Sequence, residues 1–71
     1  MKANLLKAEM VKQGINGKEL SATIGISESA FYRKMAGDSQ FTQGEISGIA
    51  HALGMSRETI LEVFFAEEEV S

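Results

Sequence analysis

Asn16 to Gly37 reads NGKELSATIGISESAFYRKMAG, and this stretch decides the fold. Asn16 can cap a helix with its side chain. Glu19, three residues on, can reach back to the cap's own N–H, and Ile15 and Leu20 stand at the staple positions on either side. The helix that starts there turns Leu20 and Ile24 inward, and Ser21 is small where a neighbouring helix must approach. Gly25 falls where the chain leaves that helix and must take φ > 0, which a residue without Cβ does at no steric cost. Two residues later Ser27 caps a second helix, stapled by Ile26 and Phe31, that runs to Ala36. Its buried stripe is Phe31 and Met35 with Ala30 beside them. Glu28, Ser29, Tyr32 and Arg33 are left on other faces.

The flanking sequence continues in the same style. Upstream, Leu5, Leu6 and Met10 recur at helical spacing from Asn4 to Gln13, and Gly14 closes that helix. Downstream, Gly37 ends the Ser27–Ala36 helix and Asp38 to Gln40 form a polar loop. Thr42 with Glu45 at N3 and the Phe41/Ile46 staple then repeat the start seen at Asn16. Ile46, Ile49, Ala50 and Leu53 line one face of this helix, His51 lies off it as a surface residue, and Gly54 stops it. Ser56 caps a fifth helix with Met55 and Ile60 as its staple, and Ile60, Leu61, Phe64 and Phe65 give it a broad apolar face. The expectation is an all-α, compact five-helix bundle, one domain over residues 1–71. Glu67, Glu68 and Glu69 oppose the macrodipole at a helix C-terminus by about 0.3–1 kcal/mol each, so an acidic frayed tail is expected at about 67–71.

Composition removes several function classes. The 71 residues contain no Cys and a single His, so thiolate metal sites, disulfide frameworks and His-based triads have no material. No catalytic constellation, metal or cofactor is implied. No apolar run approaches the roughly 18 residues of a membrane span, and Lys2, Asn4 and Lys7 interrupt the start, so a cytoplasmic protein is expected. Net charge is −3, which on average disfavours nucleic acid. The average conceals a division. Up to Gly37, Lys2, Lys7, Lys12, Lys18, Arg33 and Lys34 outnumber Glu9, Glu19 and Glu28. Beyond it, Arg57 alone faces Asp38, Glu45, Glu58, Glu62, Glu67, Glu68 and Glu69. One half can face phosphates while the other turns away.

A helix, a short turn with glycine and a second helix is the arrangement that lays the second helix in the DNA major groove. GINGKELSATIGIS, continued by FYRKMAG, QFTQGEI, IAHALGMS and the FF of the fifth helix, resembles the phage Cro and repressor type of helix-turn-helix protein over nearly the whole chain. The resemblance implies the lambda-repressor-like DNA-binding fold and a sequence-specific transcriptional regulator of phage or mobile-element type. It places base reading on Glu28, Ser29 and Arg33, and phosphate contacts on Asn16, Ser27 and Tyr32. Three departures stand out. Gly17 occupies a position where relatives often have Gln, so Lys18 next to it becomes the substitute as a point charge. Met10 and Met35 stand where many relatives pair Arg with Glu, so an apolar contact is expected there. Asp38 replaces a frequent Lys.

Each candidate also has a plainer role. The Arg33 fork can hold guanine O6 and N7, or pair with an acidic neighbour in solvent. Glu28 can accept from cytosine N4, or simply favour the first turn through the dipole. Ser27 is a cap that can also meet phosphate, and Tyr32 can bond a phosphate or pack on its helix. The Lys34 stem should cover the core edge with its ammonium reaching solvent or phosphate. Val63 and Phe65 exceed what one small core needs, which suits either a homodimer seam or a helix folded back on its own bundle. A homodimer would hold two recognition helices roughly 34 Å apart on a near-palindromic operator in double-stranded DNA. The alternative is a protein-interaction module on the same scaffold, using the acidic half without significant DNA binding.

Overall fold

The computed structural model describes residues 1–66. The chain forms α1 (Ala3–Gln13), α2 (Gly17–Ile24), α3 (Glu28–Met35), α4 (Gln43–Leu53) and α5 (Arg57–Ile60), the last continuing as a π-helical turn over Leu61–Phe65. All described secondary structure is helical, as expected for an all-α chain. The acidic segment 67–71, expected to fray, lies outside the described residues.

The helix starts form as their side chains dictate. The Asn16 side chain accepts from Glu19 N at 2.8 Å while Asn16 N donates to Glu19 Oε1 at 3.2 Å, a complete capping box. Thr42 and Glu45 make the same reciprocal pair at the head of α4. Ser27 Oγ accepts from Ala30 N, and Ser56 Oγ from Thr59 N, each at 3.1 Å. α1 has no side-chain cap. Instead, Lys2 N donates to the Val63 carbonyl at 2.7 Å, joining the head of α1 to one of the carbonyls that the end of a helix leaves unpaired. Gly25, at φ 78°, lets Ile26 N turn back to Ser21 O at 3.0 Å, so the turn between α2 and α3 satisfies its own backbone.

Leu6, Met10, Leu20, Phe31, Met35, Ile49, Leu53 and Val63 make one buried cluster. Ile15, Ile26, Phe41 and Met55, the outer partners of the four staples, pack against it. Met10 and Met35 are both in the cluster and line the same pocket, so the two positions share one side of the domain, as the expected apolar pairing requires. α2 packs on α3 and α4, and α1 on α4 and the π turn. The α2–α4 approach depends on a glycine the sequence does not flag: a Cβ on Gly48 would sit 2.9 Å from Ile24 Cγ2. An aromatic chain ties α3 to the π-helical turn, with Phe31 5.7 Å from Phe41 and Phe41 6.0 Å from Phe64 between ring centroids.

The apolar face expected on α5 is divided. Val63 is fully buried, Ile60 and Phe64 are partly buried, and Leu61 and Phe65 are exposed. Ile60, Val63 and Phe64 stand at i, i+3 and i+4, one stripe; Leu61 and Phe65 form an adjacent i, i+4 stripe, and a helix of this length can turn only one of them to the core. Val63 is therefore a core residue, which corrects its assignment to a dimer seam.

Candidate nucleic-acid interface

α3 carries the exposed residues expected to meet DNA. Glu28, Ser29, Tyr32 and Arg33 all face solvent while Phe31 and Met35 point into the core. Ser29 and Arg33 are four apart, with Tyr32 three from Ser29, so the polar face is continuous along two turns. Its rigidity comes from the opposite side, where Phe31 is fully buried and Met35 nearly so. The start of the helix is pinned by Ser27 Oγ, which lies 3.4 Å from Ser29 Oγ as well as capping Ala30 N. At the other end, Asp38 N donates to Arg33 O at 3.0 Å, so the polar loop folds back on the last turn.

Asn16 and Lys18 are exposed at the amino end of α2. The Asn16 acceptor is spent on the capping box, which leaves its amide N–H groups for an outside partner. Gly17 between them is buried, covered by Tyr32 from α3: a Cβ at position 17 would lie 2.7 Å from Tyr32 Cζ and closer still to Oη. The glycine leaves room for the end of that ring where it stands, and the sequence marked it only as a missing contact. A glycine inside the first turn of a well-capped helix costs about 1 kcal/mol relative to Ala, and that cost is the signal of a close approach.

Lys34 departs from expectation. Its stem covers the core edge, but the ammonium donates to Glu45 Oε1 at 2.6 Å and lies 5.9 Å from the Phe41 ring centroid, both partners largely covered. The charge expected in solvent or on phosphate is turned inward, because Glu45 waits at the head of α4 with its carboxylate already accepting from Thr42 N. The Lys34 hydrogen bond, with that of Thr42 N, holds the Glu45 carboxyl below the usual carboxylate value.

Basic and acidic groups are interspersed: Glu19 and Glu28 share α2 and α3 with the cations, and Arg57 shares α5 with Glu58. Lys18 and Arg33 flank the exposed α2–α3 unit, and Glu62 lies on the π extension of α5. Among the described residues no His/Cys/Asp/Glu group is placed to hold a metal ion, and no helix is long and apolar enough to cross a membrane.

Two capped helices about a glycine turn, the second buried on its Phe31 side and polar on its Arg33 side, define a helix-turn-helix DNA-binding domain. The family model of the Cro/C1-type HTH DNA-binding domain matches residues 5–66, and the chain belongs to that family. It is a DNA-binding regulator domain of a non-enzymatic fold. No curated protein and no solved structure matches the chain.

Proposed function

We propose that the protein is a sequence-specific transcriptional repressor of the phage or mobile-element kind, acting in the cytoplasm as a homodimer on a near-palindromic operator. The carrying observation is the exposed row Glu28, Ser29 and Arg33 on a helix whose opposite face is locked in the core. In this reading those three side chains meet base edges, and Arg33 supplies the strongest discrimination, about 1–3 kcal/mol against a wrong base. Asn16, Lys18, Ser27 and Tyr32 meet the backbone and fix the register. Lys34 has no part in the contact surface, its charge being committed to Glu45. The dimer seam is assigned to Phe65, 56% exposed, with Leu61, 53% exposed, beside it. Phe65 also borders a shallow notch formed with Gln43, Ile46, Ala50 and Ile60, an apolar edge that a second copy can fill.

Selection of bound duplexes from a random pool, followed by titration of the selected site against salt, tests the proposal. A recurrent near-palindrome is expected, with affinity falling steeply as salt rises. Arg33→Ala should cost about 1–3 kcal/mol and relax preference at one base pair in each half-site. A pool that yields no salt-dependent binding sinks the repressor reading and leaves the acidic half of the molecule, and hence a protein partner, as the object of study.

A further inference from the structure

α3 is eight residues long, and its last turn carries Arg33 on the outside and Met35 on the inside. The helix packs chiefly on α2, through a buried stripe of Phe31 and Met35. Such a stripe fixes which face goes inward but tolerates a small roll or slide, because apolar contact has no preferred direction. Lys34, between Arg33 and Met35, supplies a direction. Its ammonium donates to Glu45 Oε1 at 2.6 Å, with the two side chains 15% and 14% exposed. Glu45 is itself fixed: the same oxygen accepts from Thr42 N at 2.9 Å, and Glu45 N donates to Thr42 Oγ1 at 3.1 Å. Among the described residues this is the one ion pair that joins two helices, since Lys12 and Glu9 pair within α1. The last turn of α3 is thus tied sideways to the capped head of α4. Desolvating two charges returns little net stability compared with an apolar pair of the same shape, so what such a pair adds is a fixed arrangement.

We infer that Lys34 and Glu45 are positioning residues for base reading: the pair sets the angle of the last turn of α3, and so holds the adjacent Arg33 on its base, while touching no DNA itself. The inference rests on the DNA-binding reading and adds to it two residues, away from the contact surface, that set its specificity. A bidentate contact from an Arg fork tolerates errors of only about 10–20°. Arg33 O accepts from Asp38 N at 3.0 Å and Lys34 O from Gly37 N at 3.2 Å, so the turn held by the pair is closed at its carboxyl end and moves as a unit. The amino end of α3 has anchors of its own, the Ser27 cap and the fully buried Phe31. Glu28 and Ser29, at that end, do not depend on the tether.

Binding of the selected duplex and its single-base variants by the wild type and by Lys34→Met/Glu45→Gln tests it, with folding checked by thermal melt. The double substitution removes both charges together, keeps the Lys34 stem as an apolar chain, and leaves the head of α4 its capping box, which Gln completes as Glu does. It should fold, leave the salt slope of binding unchanged, and lower preference at the base pair affected by Arg33→Ala about three- to tenfold, the worth of one hydrogen bond of the fork. Preference at the base pairs read by Glu28 and Ser29 should stay. In an Arg33→Ala background the double substitution should cost no further preference, because the contact that the pair holds is already gone. An unaltered preference profile overturns the inference, and so does an even loss at every base pair, the mark of a loosened domain. Weaker binding to all sequences with a salt slope lower by about one would put Lys34 on a phosphate, and overturns it as well. If the variant fails to fold, Lys34→Met/Glu45→Leu, which fills the space with carbon and keeps the Thr42 cap, is read in the same way. If neither folds, the pair serves stability and the inference falls. Loss of preference in Arg33→Ala with none in the double variant leaves the repressor reading standing and removes this one, whereas no salt-dependent binding by the wild type removes both.

Discussion

Glu45 shows how much one side chain can carry in a chain this small. A single carboxylate oxygen accepts from Thr42 N at 2.9 Å and from Lys34 Nζ at 2.6 Å, so the cap of α4 and the tether of the recognition helix share an atom. Removing its charge by Glu45→Gln should destabilise the domain by about 1–2 kcal/mol at pH 7, since Lys34 is left largely covered without its counter-charge. The pH dependence follows from the sign of the shift. The folded carboxyl titrates below its ordinary value of 4.5, so its contribution is present above that value and disappears as pH falls through the lowered one. Urea unfolding of the two proteins from pH 7 to pH 3 should therefore show a gap that closes in acid; a constant gap would mean that the pair contributes no charge-dependent stability. The capping role of Glu45 is legible because Thr42 stands three residues away. Its pairing with Lys34 is not, because those residues are eleven apart and meet only through the way α3 and α4 pack. Gly17 was opaque for the same reason: nothing local announces that Tyr32 will cover it.

At the scale of elements, starts and stops were the most readable part of the chain, because caps, boxes and turn glycines act within four residues of each other. Helix faces were readable only where one stripe was offered. α5 offers two, and Val63 went inside while Leu61 and Phe65 stayed out. Val63→Ala should cost about 2 kcal/mol by opening a cavity at the core. Leu61→Ala should stay within about 0.5 kcal/mol, as expected of an exposed position. Equal losses by urea unfolding would show that the π turn does not fix the register described. The α2–α4 contact makes a sharper case. Gly48→Ala normally gains about 1 kcal/mol of helix propensity, but here its Cβ would press on Ile24 Cγ2 at 2.9 Å. Overpacking costs about 1–3 kcal/mol, so a net loss of about 1 kcal/mol is expected. In an Ile24→Ala background the same change should stabilise. If Gly48→Ala stabilises the unaltered protein, the two helices are looser than this contact requires.

For the whole molecule, the few free cations of the α2–α3 unit and the exposed end of the π turn point to a single arrangement. Lys18 and Arg33 share the α2–α3 unit with Glu19 and Glu28, so with Lys34 paired to Glu45 the unit holds no excess of positive charge. A lone copy, with Gly17 covered by Tyr32 and Lys34 committed to Glu45, has few groups left for the DNA backbone. Its grip should be weak, and a second copy is what makes the operator affinity useful. Phe65→Glu tests this without touching the DNA face, because Phe65 is exposed whereas its neighbour Val63 holds the core. The variant should stay folded, with a melting temperature that no longer rises with concentration, and sediment as a monomer at micromolar concentrations where the wild type sediments as a dimer. Its affinity for an isolated half-site should be unchanged, and that for the full near-palindrome lower by about 10²-fold or more, the advantage that linking two binding events confers. If the full-site affinity survives, the seam lies elsewhere or one copy suffices. If the variant unfolds, Phe65 supports the fold and Leu61→Glu, on the same exposed stripe, becomes the substitution that must separate the two copies.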